Sequence, residues 1–258
     1  MDILNAVILG VIEGITEFLP ISSTGHLILA SRLLGITSTD FLKSFEIFIQ
    51  SGAILAVILL YWKDIFTKFD LLKKVFIAFI PTAVIGLLFY KILKEYLLGN
   101  TTITLLSLFL GGIALIIVEL SFKKRKIDER TVTQITYKNA ILVGLIQSIS
   151  IIPGVSRSAA SIIGGMLLGM DRKTAVEFSF LLAIPTLLAA TGLDLIKTNF
   201  SFSYEEWTYL VAGFLSSFIV AVLVIKWLVS YVKKYTFIPF GIYRIAIAIF
   251  LFGLFFLR

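Results

Sequence analysis

Leu19-Pro20-Ile21-Ser22-Ser23-Thr24-Gly25 interrupts an otherwise apolar run at residues 2–35, and Ile152-Pro153-Gly154-Val155-Ser156-Arg157-Ser158 interrupts a second at residues 138–170. Each half of either run is about 10–17 residues, too short for a comfortable crossing of roughly 30 Å of hydrocarbon. The spacing therefore predicts two re-entrant helix-loop-helix hairpins. The two runs are also related to each other. At an offset of 134, ten of the 31 positions from 5 to 35 are identical, among them Asn5/Asn139, Gly10/Gly144, Ser22/Ser156 and Gly35/Gly169. Biased apolar composition would give roughly three by chance, so the chain carries an internal repeat.

Outside these runs, six unbroken segments read as full spans, at about 42–62, 75–97, 101–122, 174–197, 207–230 and 237–257. With 59% apolar and 15% charged residues and a mean hydropathy of +1.01, a water-soluble domain is excluded. Unbroken apolar runs also exclude a β-barrel, whose strands alternate in polarity. Met1-Asp2 supplies no basic leader, and Glu13 and Glu17 interrupt the first apolar stretch, so this helix is expected to remain in the mature chain. The expected fold is an all-α integral membrane protein: six transmembrane helices plus two re-entrant hairpins in one polytopic domain over 1–258. Repeat 1 covers about 2–122 and repeat 2 about 138–257, joined by a basic loop at 123–137. Three spans follow each hairpin, an odd number, so the second copy enters from the opposite face and the duplication has inverted topology.

The net charge of +7 comes from lysines and arginines that flank apolar spans, which speaks for membrane orientation and against nucleic acid. Fourteen of them, in 63–74, 123–138, Arg172-Lys173 and Lys233-Lys234, fall on one side of this topology. The positive-inside rule makes that side cytoplasmic. Both termini then face outward, the first hairpin dips in from outside and the second from inside, and their tips meet near the midplane.

The chemistry-bearing residues cluster at these two breaks. Glu13 and Glu17, spaced i, i+4, share one helix face, where a paired carboxylate suits a hard cation, Mg²⁺ or Ca²⁺, bridging to phosphate. The bland alternative is a neutral or purely structural pair. Cysteine is absent, so any metal is expected to be held by carboxylate, hydroxyl, amide or phosphate oxygens. Ser22, Ser23, Thr24 and Gly25 open a helix whose free N–H groups and dipole attract anions, although a hydroxyl run of this kind is also an ordinary N-cap. His26, the only histidine, lies within one turn of them and suits general acid or base work. In the second hairpin Gln147 replaces Glu13, Ser156 matches Ser22, and Arg157 stands where Ser23 stands, bringing a fork of donors suited to a phosphoryl group. Gly154 and Ser158 complete that anion-binding turn.

The runs Glu13-Gly14-Ile15-Thr16-Glu17-Phe18-Leu19-Pro20-Ile21-Ser22-Ser23-Thr24-Gly25-His26-Leu27 and Pro153-Gly154-Val155-Ser156-Arg157-Ser158 closely resemble the two signature motifs of the bacterial undecaprenyl-diphosphatase family, also known as the bacitracin resistance proteins. The likeness spans essentially the whole chain, with Gln50 and Pro81-Thr82 at positions that family often keeps. It implies a hydrolase that removes the terminal phosphate of undecaprenyl diphosphate, giving the lipid monophosphate carrier of cell-wall synthesis, with divalent-metal dependence. The expected location is the bacterial plasma membrane, and because the first hairpin enters from the side poor in Lys and Arg, the active site is expected to open to the outer face. The expected partners are a polyprenyl diphosphate lipid and the membrane, without nucleic acid, in a monomer or a homodimer.

Read from residues alone, a transporter or flippase for an anionic lipid competes with the enzyme, because inverted repeats with broken helices are common in transporters. A hydroxyl beside an acid-base residue favours the enzyme. The expected mechanism has Glu13 and Glu17 hold the metal, Ser23 attack phosphorus, His26 manage the proton and Arg157 stabilise the transition state. Metal-activated water is the rival nucleophile.

Overall fold

The computed structural model of the chain describes residues 1–89, 97, 100–122, 131–198 and 201–256. Among them the regular structure is helical and no β-strand occurs. In chain order the helices are α1 (Ile3–Thr16), α2 (Ser23–Leu33), α3 (Asp40–Thr67), α4 (Phe69–Leu88), α5 (Thr101–Phe122), α6 (Tyr137–Gln147), α7 (Arg157–Leu167), α8 (Arg172–Lys197), α9 (Tyr204–Val232) and α10 (Ile238–Phe256). Short 3₁₀ turns occupy Val132–Gln134 and Ser148–Ile151.

Six helices, α3, α4, α5, α8, α9 and α10, are long and apolar enough to cross a bilayer. The chain is a multi-pass membrane protein. Its helix starts are written locally: Asp2, Thr39, Thr136 and Asp171 each accept a hydrogen bond from the N–H three residues on, and Ser203 and Glu206 form a reciprocal capping box.

Span boundaries differ from the sequence reading in one region. Residues 63–74 were expected as a loop, yet α3 continues to Thr67 and α4 begins at Phe69, leaving only Lys68 between them. Apolar length marks where hydrocarbon ends, whereas main-chain hydrogen bonding continues past it. Asp64–Lys68 and Asp70–Lys74 pairs, each spaced i, i+4, support the extra turns. Beyond Phe89, most of the predicted span 75–97 lies outside the described residues, as do 123–130 of the basic loop and Arg258.

Close packing rests on small residues. α1 runs along α9, and α6 runs along α4. A Cβ on Gly14 would stand 2.6 Å from the Ser217 carbonyl oxygen, and one on Gly144 would collide with the main chain at Ala78. α3 packs on α8, and Phe18 of the first interrupted segment meets Phe180 of α8 edge-on at 5.2 Å. At one end the fully buried Glu119 of α5 accepts from Arg172 of α8 and, at 3.1 Å, from the Phe237 N–H ahead of α10. Arg172, expected only as an orienting loop charge, thus also ties α8 to α5, and Glu119 carries the link on to the start of α10.

Gly144→Ala should cost about 1–3 kcal/mol through overpacking, lowering the unfolding midpoint in detergent by several degrees. Gly192→Ala, in α8 with open space around the added methyl, should leave it unchanged or raise it. Thermal scans of the two variants check the contrast.

Candidate functional site

Two breaks build the site. After α1 the chain turns through 17–22, where Pro20 has no N–H to continue a helix, and restarts at Ser23. After α6 it passes the 3₁₀ turn and Pro153-Gly154, and restarts at Arg157. Ser22 and Ser156 have φ of 71° and 75°, the only non-glycine residues in the left-handed region among those described. Such a conformation is costly for serine and tends to persist at functional sites. Ser156 caps the following helix by accepting from the Ala159 N–H at 3.2 Å, whereas the buried Ser22 makes no side-chain cap bond.

The breaks touch. Arg157 donates from Nη2 to Glu17 Oε1 at 2.7 Å and from Nη1 to the Ser179 carbonyl at 3.0 Å. Ser23 Oγ donates to the other Glu17 oxygen, Oε2, at 2.7 Å. A continuous row Arg157–Glu17–Ser23 results, with the Glu17 and Arg157 side chains only 5% and 8% exposed. Ser158 Oγ donates to the Phe18 carbonyl at 2.7 Å, and the Arg157 guanidinium lies 5.6 Å from the Phe18 ring. A buried pair of this kind contributes little net stability but is costly to break, because the surviving charge loses its partner.

The remaining predicted residues sit around this row. Glu13, one turn before Glu17, is fully buried, and its two oxygens accept no hydrogen bond from any described donor. It faces like charge from Glu17 and Glu46 and opposite charge from Arg157. Thr24 is exposed, and Gly25 packs near Leu108. Gln147 points elsewhere: its Nε2 donates to the hydroxyls of Thr82 at 3.2 Å and Thr186 at 3.3 Å, and its Oε1 is unpartnered. His26 makes no hydrogen bond to Ser23. Its Nδ1 lies 2.8 Å from the Ser22 carbonyl, which can only accept, so Nδ1 carries the proton. Nε2 therefore accepts from the Tyr243 hydroxyl at 2.7 Å.

Two residues of this neighbourhood went unnoticed in the sequence, Tyr243 and Arg244, both on α10. Arg244 is fully buried and donates to four main-chain carbonyls: Pro20 (3.1 Å) in the first break, Gly154 (3.0 Å) in the second, and Ser107 (3.3 Å) and Leu108 (3.1 Å) in α5. Gly154, at φ 91°, sits against the Thr104 main chain, where no side chain would fit. The signal for Arg244 was present, since it is the sole charge within the span 237–257. Tyr243 had no such signal.

A metal can be considered on the donor set alone. Among the described residues no three His, Cys, Asp or Glu side chains gather. Mg²⁺ needs only one or two carboxylates when substrate phosphate and water supply the rest, and the bare oxygens of Glu13 fit that demand.

A model of the protein family described as bacitracin resistance protein BacA matches residues 6–250. The chain is 51% identical over 245 residues to the undecaprenyl-diphosphatase of Aquifex aeolicus, covering 95% of each. It is 50% identical over 249 residues to that of Sulfurihydrogenibium sp., covering 96% of this chain and 98% of the relative. With that of Persephonella marina it shares 51% over 255 residues, 99% of each.

Arg244→Ala should be among the most damaging single changes, leaving the buried Pro20 and Gly154 carbonyls of the two breaks without their donor at about 1–3 kcal/mol each and emptying a fully buried guanidinium site. The expected result is aggregation, or an unfolding midpoint at least ten degrees lower, read by size exclusion and thermal scanning in detergent.

Proposed function

The chain belongs to the bacitracin resistance protein BacA family, and on that premise we propose that it hydrolyses undecaprenyl diphosphate to undecaprenyl phosphate and inorganic phosphate. This returns the lipid carrier to cell-wall synthesis. The observation that carries the chemistry is the buried row Arg157–Glu17–Ser23 at the meeting of the two breaks.

In the first step Ser23 Oγ attacks the terminal phosphorus, the bond to the bridging oxygen breaks, and the lipid monophosphate leaves. The Ser23 proton passes to Glu17 Oε2, to which it already points. The sequence reading gave that proton to His26; its ring nitrogens are engaged by Ser22 and Tyr243, so we assign it instead the holding of the Ser22 carbonyl that starts α2. Arg157 supplies fixed positive charge to the phosphoryl oxygens, and its Nε is an uncommitted donor. The open N–H groups of Ser23, Thr24 and Gly25 add to it. Water then attacks the phosphoserine phosphorus, the P–Oγ bond breaks, Ser23 Oγ recovers the proton held by Glu17, and inorganic phosphate is released. A divalent cation, Mg²⁺ by preference, would be held by Glu13 with Glu17 at its edge, and when bound would neutralise diphosphate charge.

We read the two broken segments as re-entrant hairpins of an inverted repeat. Support comes from the identities at offset 134, from Ser22 and Ser156 sharing one backbone conformation, and from packing that exchanges under the same offset: α1 on α9, α6 on α4. The basic residues then lie on the cytoplasmic face of the plasma membrane, and the site opens outward.

Purified protein with Mg²⁺ should release phosphate from undecaprenyl diphosphate. Glu17→Gln should lower turnover by about 10²–10⁴-fold, and Arg157→Lys by about 10²-fold, because an ammonium cannot reach Glu17 and Ser179 together. Ser23→Ala should be inactive; near-normal turnover would hand the attack to water. In a second measurement, an impermeant thiol reagent outside cells should label Ser38→Cys but not Lys234→Cys, and the opposite pattern would reverse the orientation.

A further inference from the structure

α2 meets α10 through side chains at two points, His26 with Tyr243 and Arg32 over the Phe255 ring at 4.0 Å. Beside this contact, between α1, α2, α9 and α10, lies a groove of about 680 Å³, within the range of about 300–1,000 Å³ common for ligand sites. Its origin is helix length. α2 has 11 residues, about 16 Å, and α1 has 14, about 21 Å, whereas α9 has 29, about 44 Å. α9 and α10 are both longer than either helix of the first hairpin, and Trp227, Tyr231 and Phe240 form an aromatic wall on them.

The lining has little polarity left to offer. Thr16 Oγ already donates to the Ile12 carbonyl at 2.7 Å, the Tyr231 hydroxyl reaches the Thr236 carbonyl at 3.4 Å, and His26 and Tyr243 occupy each other. A polar guest would lose its hydration without replacement. Hydrocarbon loses nothing, and gains contact with the aromatic wall. The groove is also continuous with the reacting end, since Ile21 and His26 line it and flank Ser22-Ser23.

We infer that this groove seats the isoprenoid units nearest the diphosphate, with His26 and Tyr243 marking the point where hydrocarbon gives way to the charged head. The inference rests on the activity proposed above and adds where the chain of that substrate lies. It assigns the polyprenyl chain of the substrate, rather than a bulk acyl chain, as the occupant. It also makes α2 the element past which the lipid enters from the side.

The test fills the groove from its partly exposed wall with Leu29→Trp and, separately, Ile15→Trp. KM for undecaprenyl diphosphate should rise about tenfold or more, while inhibition by inorganic pyrophosphate, which has no tail, keeps its wild-type constant. An unchanged KM overturns the assignment. So does a KM that rises together with the pyrophosphate constant, since the groove would then serve the head. Should neither variant fold, a diazirine-bearing prenyl diphosphate applied to the wild-type protein decides. Cross-links at Trp227–Tyr231 or Phe240–Tyr243, competed by undecaprenyl diphosphate and not by phospholipid, support it. Labelling elsewhere, or labelling competed equally by phospholipid, overturns it. Failure of wild-type protein to release phosphate from any prenyl diphosphate would instead strike the proposed activity itself.

Discussion

Interrupting two helices inside a bundle releases main-chain carbonyls with no water to receive them, and the structure depends on how those groups are satisfied. Arg244 meets part of that demand in both breaks from one place, joining Pro20 of one and Gly154 of the other, and anchors itself on two carbonyls of α5. An arginine fits this task because its planar fork presents several donors in fixed directions. Room for it comes from Gly111, where an added Cβ would overlap the guanidinium. Ser158 adds a second stitch by donating to the Phe18 carbonyl.

With the backbone held in this way, the charged side chains can be brought face to face. Glu17 and Arg157 come from breaks 140 residues apart and meet as a buried pair of opposite charge, each supplying the partner that the other would be costly to bury without. Ser23 joins the same carboxylate and so arrives already directed at an acceptor. Glu13 has no such partner, and its equivalent in the other half, Gln147, is uncharged and tied to threonine hydroxyls. The two breaks thus share a backbone conformation at Ser22 and Ser156 while dividing the electrostatics: one brings carboxylates, the other a guanidinium.

Packing is divided as unequally as charge. α7 lies against α5, α6 and α8, and its Ser158 and Ser161 hydroxyls are consumed by neighbours, Ser161 donating to Ser179 Oγ at 2.7 Å. α2 leans mainly on α1 and reaches α10 only through side chains. The second break therefore acts as a fixed wall of the site, and the first borders the open groove. A lipid substrate requires such an opening, because its head must reach buried chemistry while its tail stays in an apolar medium.

The sequence by itself determined the membrane-spanning architecture, because the transfer of an apolar run into hydrocarbon depends on its own composition and length and on no partner. It also located the breaks, since Pro20 and Pro153 each stand with glycine and small hydroxyl residues, a combination that interrupts the helix where the lone Pro81 and Pro185 do not, and it marked Glu13, Glu17, Ser23, His26 and Arg157 through short local motifs. Helix ends such as Thr67 were less legible because hydrogen bonding outlasts hydropathy. Only the tertiary structure decided which of those groups meet. That Glu17 takes Arg157 across 140 residues, that His26 turns to Tyr243 across 217, and that Arg244 holds both breaks are long-range contacts set by helix packing, and no local spacing encodes them; Ser23, six residues from Glu17, meets it through the fold of the break between them.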